Sequence, residues 1–182
     1  MKKFIILTLC TVFLFCSCAE DVQPDDYLES LRTPYSANAT VREDGTDYTV
    51  RIVLQQDGSL NIVFAEPAML WGMGYSFEGD DSFLIYNDMS IELDSEELSS
   101  NVSSGVFRWK SIISGNGEYS VVKSSLNGKS AVLLTNGECE IYFDSKTKLP
   151  LMFKTDKTTI TVNEWEIKNA NNDMQTQNVL TD

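Results

Sequence analysis

The stretch NGEYSVVKSSLNGKSAVLLTNGECEIYFD, residues 116–144, decides the fold. Three Asn-Gly pairs punctuate it, at Asn116-Gly117, Asn127-Gly128 and Asn136-Gly137. Asn-Gly supplies the positive φ angles that two-residue hairpin turns require, so three such pairs between short apolar runs predict an antiparallel meander, not parallel strands with crossovers. Strands are expected at about residues 118–125, 129–135 and 138–144, and beyond the stretch at 149–154 and 158–167. Val121 stands beside Val122, and Ala131 and Leu133 alternate with Val132 and Leu134, so these strands are apolar on both sides. A sheet with one wet face alternates more cleanly. Both faces are therefore expected to be covered, one by helices and the other by curvature of the sheet around a core or cavity.

Working toward the N-terminus, Tyr48, Val50, Ile52 and Leu54 alternate with Thr49, Arg51, Val53 and Gln55. Asp57-Gly58 turns the chain, and Leu60, Ile62 and Phe64 alternate again, which is a strong hairpin signal. Glu66-Pro67 closes that strand, because proline cannot donate to the ladder. Further short strands are expected at residues 74–77, 83–86 and 90–93. Asp25 or Asp26 is placed to cap a brief helix in which Tyr27, Leu28 and Leu31 share a face. Asp94-Ser95-Glu96-Glu97-Leu98 reads as a helix start, and Val106, Trp109 and Ile113 fall on one helical face. The fold class is therefore mainly β with short helices, an antiparallel curved sheet covering one or two of them.

The chain opens with Met1-Lys2-Lys3 and an uncharged apolar run, Phe4 to Phe15. That run is shorter than the roughly 20 residues of a spanning helix and matches a signal-peptide core of about 7–15. The following Leu14-Phe15-Cys16-Ser17-Cys18 resembles the bacterial lipobox, with Ser17 at the small position before the cysteine that takes the lipid. The resemblance implies cleavage before Cys18, lipid attachment on it, and an extracytoplasmic chain anchored to a bacterial membrane. Residues 1–17 are then a signal peptide, 18–26 an acidic tether, 27–168 a single domain and 169–182 a flexible tail rich in Asn, Gln and Thr. Of 4 cysteines the mature chain would keep Cys18 and Cys139, so no disulfide is expected and the core must hold the domain together.

A formal charge of −13 repels phosphate and anionic headgroups, which argues against nucleic acid and against electrostatic attachment to membranes. The chain has no histidine, which removes Ser-His-Asp and Cys-His catalysis and His-ligated zinc. Cys139 shares a strand face with Ile141 and Phe143 and is flanked by Glu138 and Glu140, which raise a thiol pKa, so it reads as a buried apolar residue. The carboxylates at Glu78-Gly79-Asp80-Asp81 and at Asp94, Glu96 and Glu97 lack the spacing of a calcium loop and read as solvated turns and helix starts. Gly72, Gly74 and Gly79 do not lead into a helix, so they form no phosphate-binding loop. No cofactor, metal or enzymatic activity is implied. A hydrolase would need two acids to converge in a cleft with one pKa raised.

The segment Met69-Leu70-Trp71-Gly72-Met73-Gly74-Tyr75-Ser76-Phe77 fits either a core strand bulged at its glycines or the flexible wall of an apolar pocket. Two stretches together resemble the LolA-like lipoprotein-carrier superfamily, which includes periplasmic regulators of sigma factors. One is Tyr48 to Gly72, with Phe64-Ala65-Glu66-Pro67 and Leu70-Trp71-Gly72; the other is Ile141-Tyr142-Phe143-Asp144-Ser145-Lys146-Thr147-Lys148-Leu149-Pro150. The resemblance implies an antiparallel half-barrel curled over one or more helices, with an apolar concavity. Ile52, Leu54, Ile62, Phe64, Met69 and Trp71 are then expected to line it and to meet an acyl chain or a lipidated protein. The alternative is an envelope interaction or sensor module whose half-barrel is filled by its own side chains and which holds no ligand.

Overall fold

The computed structural model describes residues 23–87, 89–94, 109–113 and 117–168. The signal segment, Cys18, most of the tether, the tail from residue 169, Val106 and all of the Asp94–Leu98 helix start except Asp94 lie outside these residues. Among the described residues eleven strands form one sheet: β1 (Tyr35–Glu43), β2 (Thr46–Leu54), β3 (Leu60–Glu66), β4 (Met73–Glu78), β5 (Asp81–Tyr86), β6 (Met89–Glu92), β7 (Ser120–Leu126), β8 (Lys129–Thr135), β9 (Glu140–Asp144), β10 (Pro150–Lys154) and β11 (Thr158–Ile167). Their spatial order is β6-β5-β4-β3-β2-β1-β11-β10-β9-β8-β7. Two meanders thus fan out in opposite directions from a seam where β1 pairs antiparallel with β11 along its whole length. The sheet is curved and unclosed, with β6 and β7 as its edges. This is the antiparallel half-barrel over a helix that the LolA-like resemblance implies.

Turn chemistry explains the meanders, although by more than one route. Asn127 and Gly128, at φ 51° and 78°, form a two-residue turn between the paired Leu126 and Lys129. Asp44 and Gly45, at φ 48° and 79°, do the same between Glu43 and Thr46. The Asn136-Gly137 pair works differently, because four residues separate Thr135 from Glu140. There the Asn136 side-chain oxygen accepts the backbone N–H groups of Glu138 and Cys139, at 3.1 and 3.0 Å, and Gly137 takes φ 87°. Gly79-Asp80 turns β4 into β5 between the paired Glu78 and Asp81, so that carboxylate cluster is a hairpin end.

The core lies on the inward face. Tyr35, Val41, Val50, Ile52, Ile62, Phe77, Leu134, Ile141, Phe143, Phe153 and Ile160 are fully buried there. Each such side chain contributes on the order of 1.5–3 kcal/mol relative to exposure. Helix α1 (Asp25–Arg32) buries Tyr27, Leu28 and Leu31 against this face, with the Tyr27 ring centred 5.5 Å from that of Phe143. Neither Asp25 nor Asp26 caps it. The helix starts after Pro24 without a side-chain cap, which places both acids inside the first turn, where the helix dipole favours negative charge. Asp26 reaches Lys148 at 3.3 Å and Asp25 reaches Arg32 at 3.7 Å.

Residues 109–113, part of the connection from β6 to β7, are helical, and Lys110 holds its Nζ 5.0 Å over the Phe77 ring of β4. Trp109 is buried; its indole N–H donates to the Tyr35 hydroxyl at 2.7 Å, and its ring meets Phe153 edge-on at 6.0 Å. The outward face is less completely covered than the two-sided apolar pattern implies. Val122, Leu133, Tyr142 and Met152 form a cross-strand row there, in which Val122 stays exposed because β7 is an edge strand.

Candidate ligand-binding mouth

The six residues expected to line a concavity fall into three environments. Ile52 pairs with Ile62 and Leu54 with Leu60, all four sunk in the core, so they form a filled floor. Phe64, half-buried, stands at the margin of that floor, its ring edge-on to Tyr48 at 5.9 Å and to Tyr75 at 6.1 Å. Met69 and Trp71 lie outside it on the loop between β3 and β4, at 83% and 76% exposure. The loop leaves β3 through a cis Glu66-Pro67 bond and makes a single 3-10 turn at Ala68–Leu70. The structure therefore groups the buried isoleucines and leucine apart from the two exposed side chains, with Phe64 between.

Three further apolar residues join the exposed end, and the register of β4, β5 and β6 places them. Phe77 pairs with Ser82, Tyr75 with Leu84 and Met73 with Tyr86; in turn Leu84 pairs with Ile91 and Tyr86 with Met89. Directly opposed residues share a sheet face. Phe77 belongs to the core and Leu93 packs against it, so Tyr86, Met89 and Ile91 point inward as well. They are nevertheless 44%, 59% and 58% exposed, because the sheet ends at β6 and the core side chains do not reach that far. The period-two spacing of Met89, Ile91 and Leu93 was the available sequence signal for this face. The Asn87 N–H donates to the Gly72 carbonyl at 3.0 Å, tying the Trp71 loop to the end of β5. Gly72 is required there: its φ is +82°, and a Cβ would come within 2.7 Å of the Asn87 side-chain oxygen.

Glu43 lies near Tyr75, whose phenol is pushed above its ordinary range first by burial and then by that carboxylate. Glu43 also accepts the Thr158 hydroxyl at 2.9 Å, and Glu66 accepts that of Thr49 at 3.2 Å. Elsewhere, a polar groove of about 420 Å³ between the β8–β9 and β10–β11 turns is lined by residues including Thr135, Cys139, Glu140, Lys154 and Asp156. Cys139 is buried beneath it, with Sγ 3.4 Å from the Asn136 side-chain oxygen. Among the described residues the carboxyl groups whose pKa moves, Asp47, Asp57 and Asp144, all move down, through an Arg42 hydrogen bond, Ser59 and Thr147 respectively. Downward shifts are opposite to what a general acid near neutral pH needs. Among the described residues no group of three metal-ligating side chains converges.

No family model and no curated protein sequence matches the chain. Among solved structures it is similar to an uncharacterized conserved protein from Thermus thermophilus, at 16% identity and a TM-score of 0.53, covering 79% of this chain and 85% of the other. That likeness shows a shared fold. The chain is also similar to a LolA superfamily protein from Nitrosomonas europaea, at 12% identity and a TM-score of 0.44, over 81% of this chain and 94% of that one. A third similarity is to a chain of the Pseudomonas aeruginosa MucA/MucB complex, at 14% identity and a TM-score of 0.43, over 80% of this chain and 57% of its counterpart.

Proposed function

We propose that this protein is an extracytoplasmic, non-enzymatic binding domain, tethered to a membrane by lipid on Cys18, that engages an apolar group at the β3–β6 end of its half-barrel. The group is an acyl chain or a lipidated protein. One observation carries the reading: of eight exposed large apolar residues among those described, five (Met69, Trp71, Tyr86, Met89 and Ile91) lie on the β3–β4 loop or on the inward face of β5 and β6. Apolar side chains gathered this way on a soluble domain mark an interaction site, because each Å² removed from water contributes about 25 cal/mol. Tyr86, Met89 and Ile91 would meet the ligand from the sheet, and Met69 and Trp71 from the adjoining loop, with Phe64 at the base. The buried Ile52, Leu54 and Ile62 would support that base without touching the ligand.

A second reading is favoured by the filled centre of the barrel, where Tyr35, Phe77, Phe143 and Phe153 leave no room for a chain to pass through. In that case the same end meets the surface of an envelope protein and nothing enters. Native mass spectrometry of the mature domain, joined to titration with a fluorescent fatty acid, separates the two. Bound lipid, or saturable uptake of the probe that is lost in Trp71→Ala, supports the ligand-binding reading. A domain that carries no lipid and ignores the probe refutes it. The tether is tested separately: Cys18→Ala should abolish metabolic labelling with palmitate, and retained labelling would refute lipidation there.

A further inference from the structure

A small crevice on the inward face joins apolar walls to a positive charge. It measures about 100 Å³ and lies between the helical residues 109–113 and the β2–β3 and β4–β5 turns, where Leu60, Phe77, Lys110 and Ile113 line it with Gly58 and Gly79. Lys110 is half-buried there, its Nζ 5.0 Å above the Phe77 ring. Among the described residues no carboxylate pairs with it: the ion pairs are Arg32–Asp25, Arg42–Asp47, Lys148–Asp26 and Lys154–Glu140. Glu78 and Asp81 adjoin the inward-facing Phe77 and Ser82 along their strands and so point outward, and Asp57 holds its carboxylate on Ser59 at 2.7 and 2.9 Å. Lys148 shows what is missing. It also stands over a ring, 5.6 Å from the centre of Tyr27, but it reaches Asp26 as well. An aromatic face compensates a half-buried ammonium only in part. A second polar group beside the crevice lacks a partner too: the Ser82 hydroxyl, directly opposite Phe77 on the inward face, is buried with no hydrogen bond among the described residues.

From Phe77 the inward face of β4 to β6 runs past Tyr75, Leu84 and Ile91 to Met73, Tyr86 and Met89 at the mouth. The four strand steps from Phe77 to Met73 span about 13 Å. We infer that the ligand is a single-chain carboxylate of about ten carbons, its head held by Lys110 and its chain lying along β4–β6 to end among Tyr86, Met89 and Trp71. The inference rests on the mouth being the binding site and adds the head group and the chain length. The Lys110 ammonium and the Ser82 hydroxyl supply one donor to each carboxylate oxygen. The crevice is smaller than an engineered cavity of about 150 Å³ that takes benzene, so it admits a carboxylate and its first methylenes but no glycerophosphate headgroup. The net charge of −13 opposes anions at long range, yet salt screens charges beyond a Debye length of roughly 8 Å, whereas Lys110 acts at contact.

The test titrates the mature chain, residues 18–182 carrying Cys18→Ser, with decanoate, decanol and decylammonium in a calorimeter; the three share a chain and differ in their heads. Decanoate is expected to bind at least about tenfold more tightly than decanol, as a hydrogen bond to a charged group gives, and decylammonium most weakly. Lys110→Gln should erase the preference for decanoate, Lys110→Arg should keep it, and Trp71→Ala should weaken all three ligands. Equal affinity of the unsubstituted domain for decanoate and decanol overturns the inference and leaves the mouth as an apolar site. A decanoate preference that persists in a folded Lys110→Gln domain, checked by near-ultraviolet circular dichroism, overturns the role given to Lys110. Failure of all three ligands to bind removes the mouth as a site and the inference with it.

Discussion

Replacing Tyr35 by phenylalanine tests whether the helical residues 109–113 plug the half-barrel through Trp109. Tyr35 is wholly buried at the start of β1, and its hydroxyl accepts the Trp109 indole N–H at 2.7 Å. Its ring also stacks on Trp165 with centroids 4.0 Å apart, a contact that phenylalanine keeps. The substitution therefore removes one hydrogen bond with little change in packing. It leaves the Trp109 N–H, also buried, without an acceptor. An orphaned buried donor costs about 1–3 kcal/mol, against about 1 kcal/mol for an average hydrogen bond whose partners can return to water. With a urea m-value of about 2 kcal/mol/M, the unfolding midpoint should fall by about 0.5–1.5 M. Trp109→Phe, alone and combined with Tyr35→Phe, completes a cycle whose coupling should be about 1 kcal/mol. Loosening the plug should also raise binding of a hydrophobic dye by Tyr35→Phe under native conditions. A midpoint unchanged within error together with zero coupling would refute the contact and the plug.

Burial holds the Tyr35 phenol well above its ordinary value of 10, only partly offset by the Trp109 hydrogen bond. The resulting stabilisation is fully present below about pH 10 and is lost as pH climbs toward the folded-state value, so urea midpoints should fall on the alkaline side, less steeply in Tyr35→Phe. At the other extreme, Asp144 accepts the backbone N–H groups of Thr147 and Lys146, at 2.8 and 2.9 Å, which lower its pKa. Its contribution is present above the ordinary value of 3.8 and lost as pH drops through the folded value; Asp144→Ala should flatten the acid limb of a melting-temperature profile, and an unchanged limb would contradict the capping role. Gly128→Ala places a side chain at φ +78° with open space around it, so backbone strain alone should destabilise the domain by about 1 kcal/mol in urea unfolding. Trp71→Ala should leave stability within about 0.5 kcal/mol while abolishing binding of a fluorescent acyl probe; a large loss of stability would mean that Trp71 serves packing instead.

Hairpin positions were legible because they are local. Asn127-Gly128 and Asp57-Gly58 announce turns through backbone preferences that do not depend on the rest of the chain, and the alternation around them marks strands. Asp44-Gly45 carried the same signal and joins β1 to β2 in the same manner as Asn127-Gly128 joins β7 to β8. The candidate site was less legible. Ile52, Leu54 and Ile62 look the same in sequence as Tyr86, Met89 and Ile91: apolar residues at period two on an inward face. What separates the groups is distance from the sheet's edge, which alternation does not encode.

From its residues alone the chain declared an antiparallel, mainly β domain, the absence of histidine chemistry, a strongly acidic surface and a Trp71 loop rich in Met and aromatic side chains. Tertiary structure decided that β1 and β11 meet as the seam, that β6 and β7 are left as edges, that Trp109 fills the middle, and that the apolar surface left open is at the β3–β6 end. The reason is physical. Turn and strand preferences act between neighbours along the chain, whereas burial depends on which strands come to lie side by side, and that choice is made by contacts between residues more than a hundred positions apart, such as Val41 with Ile160.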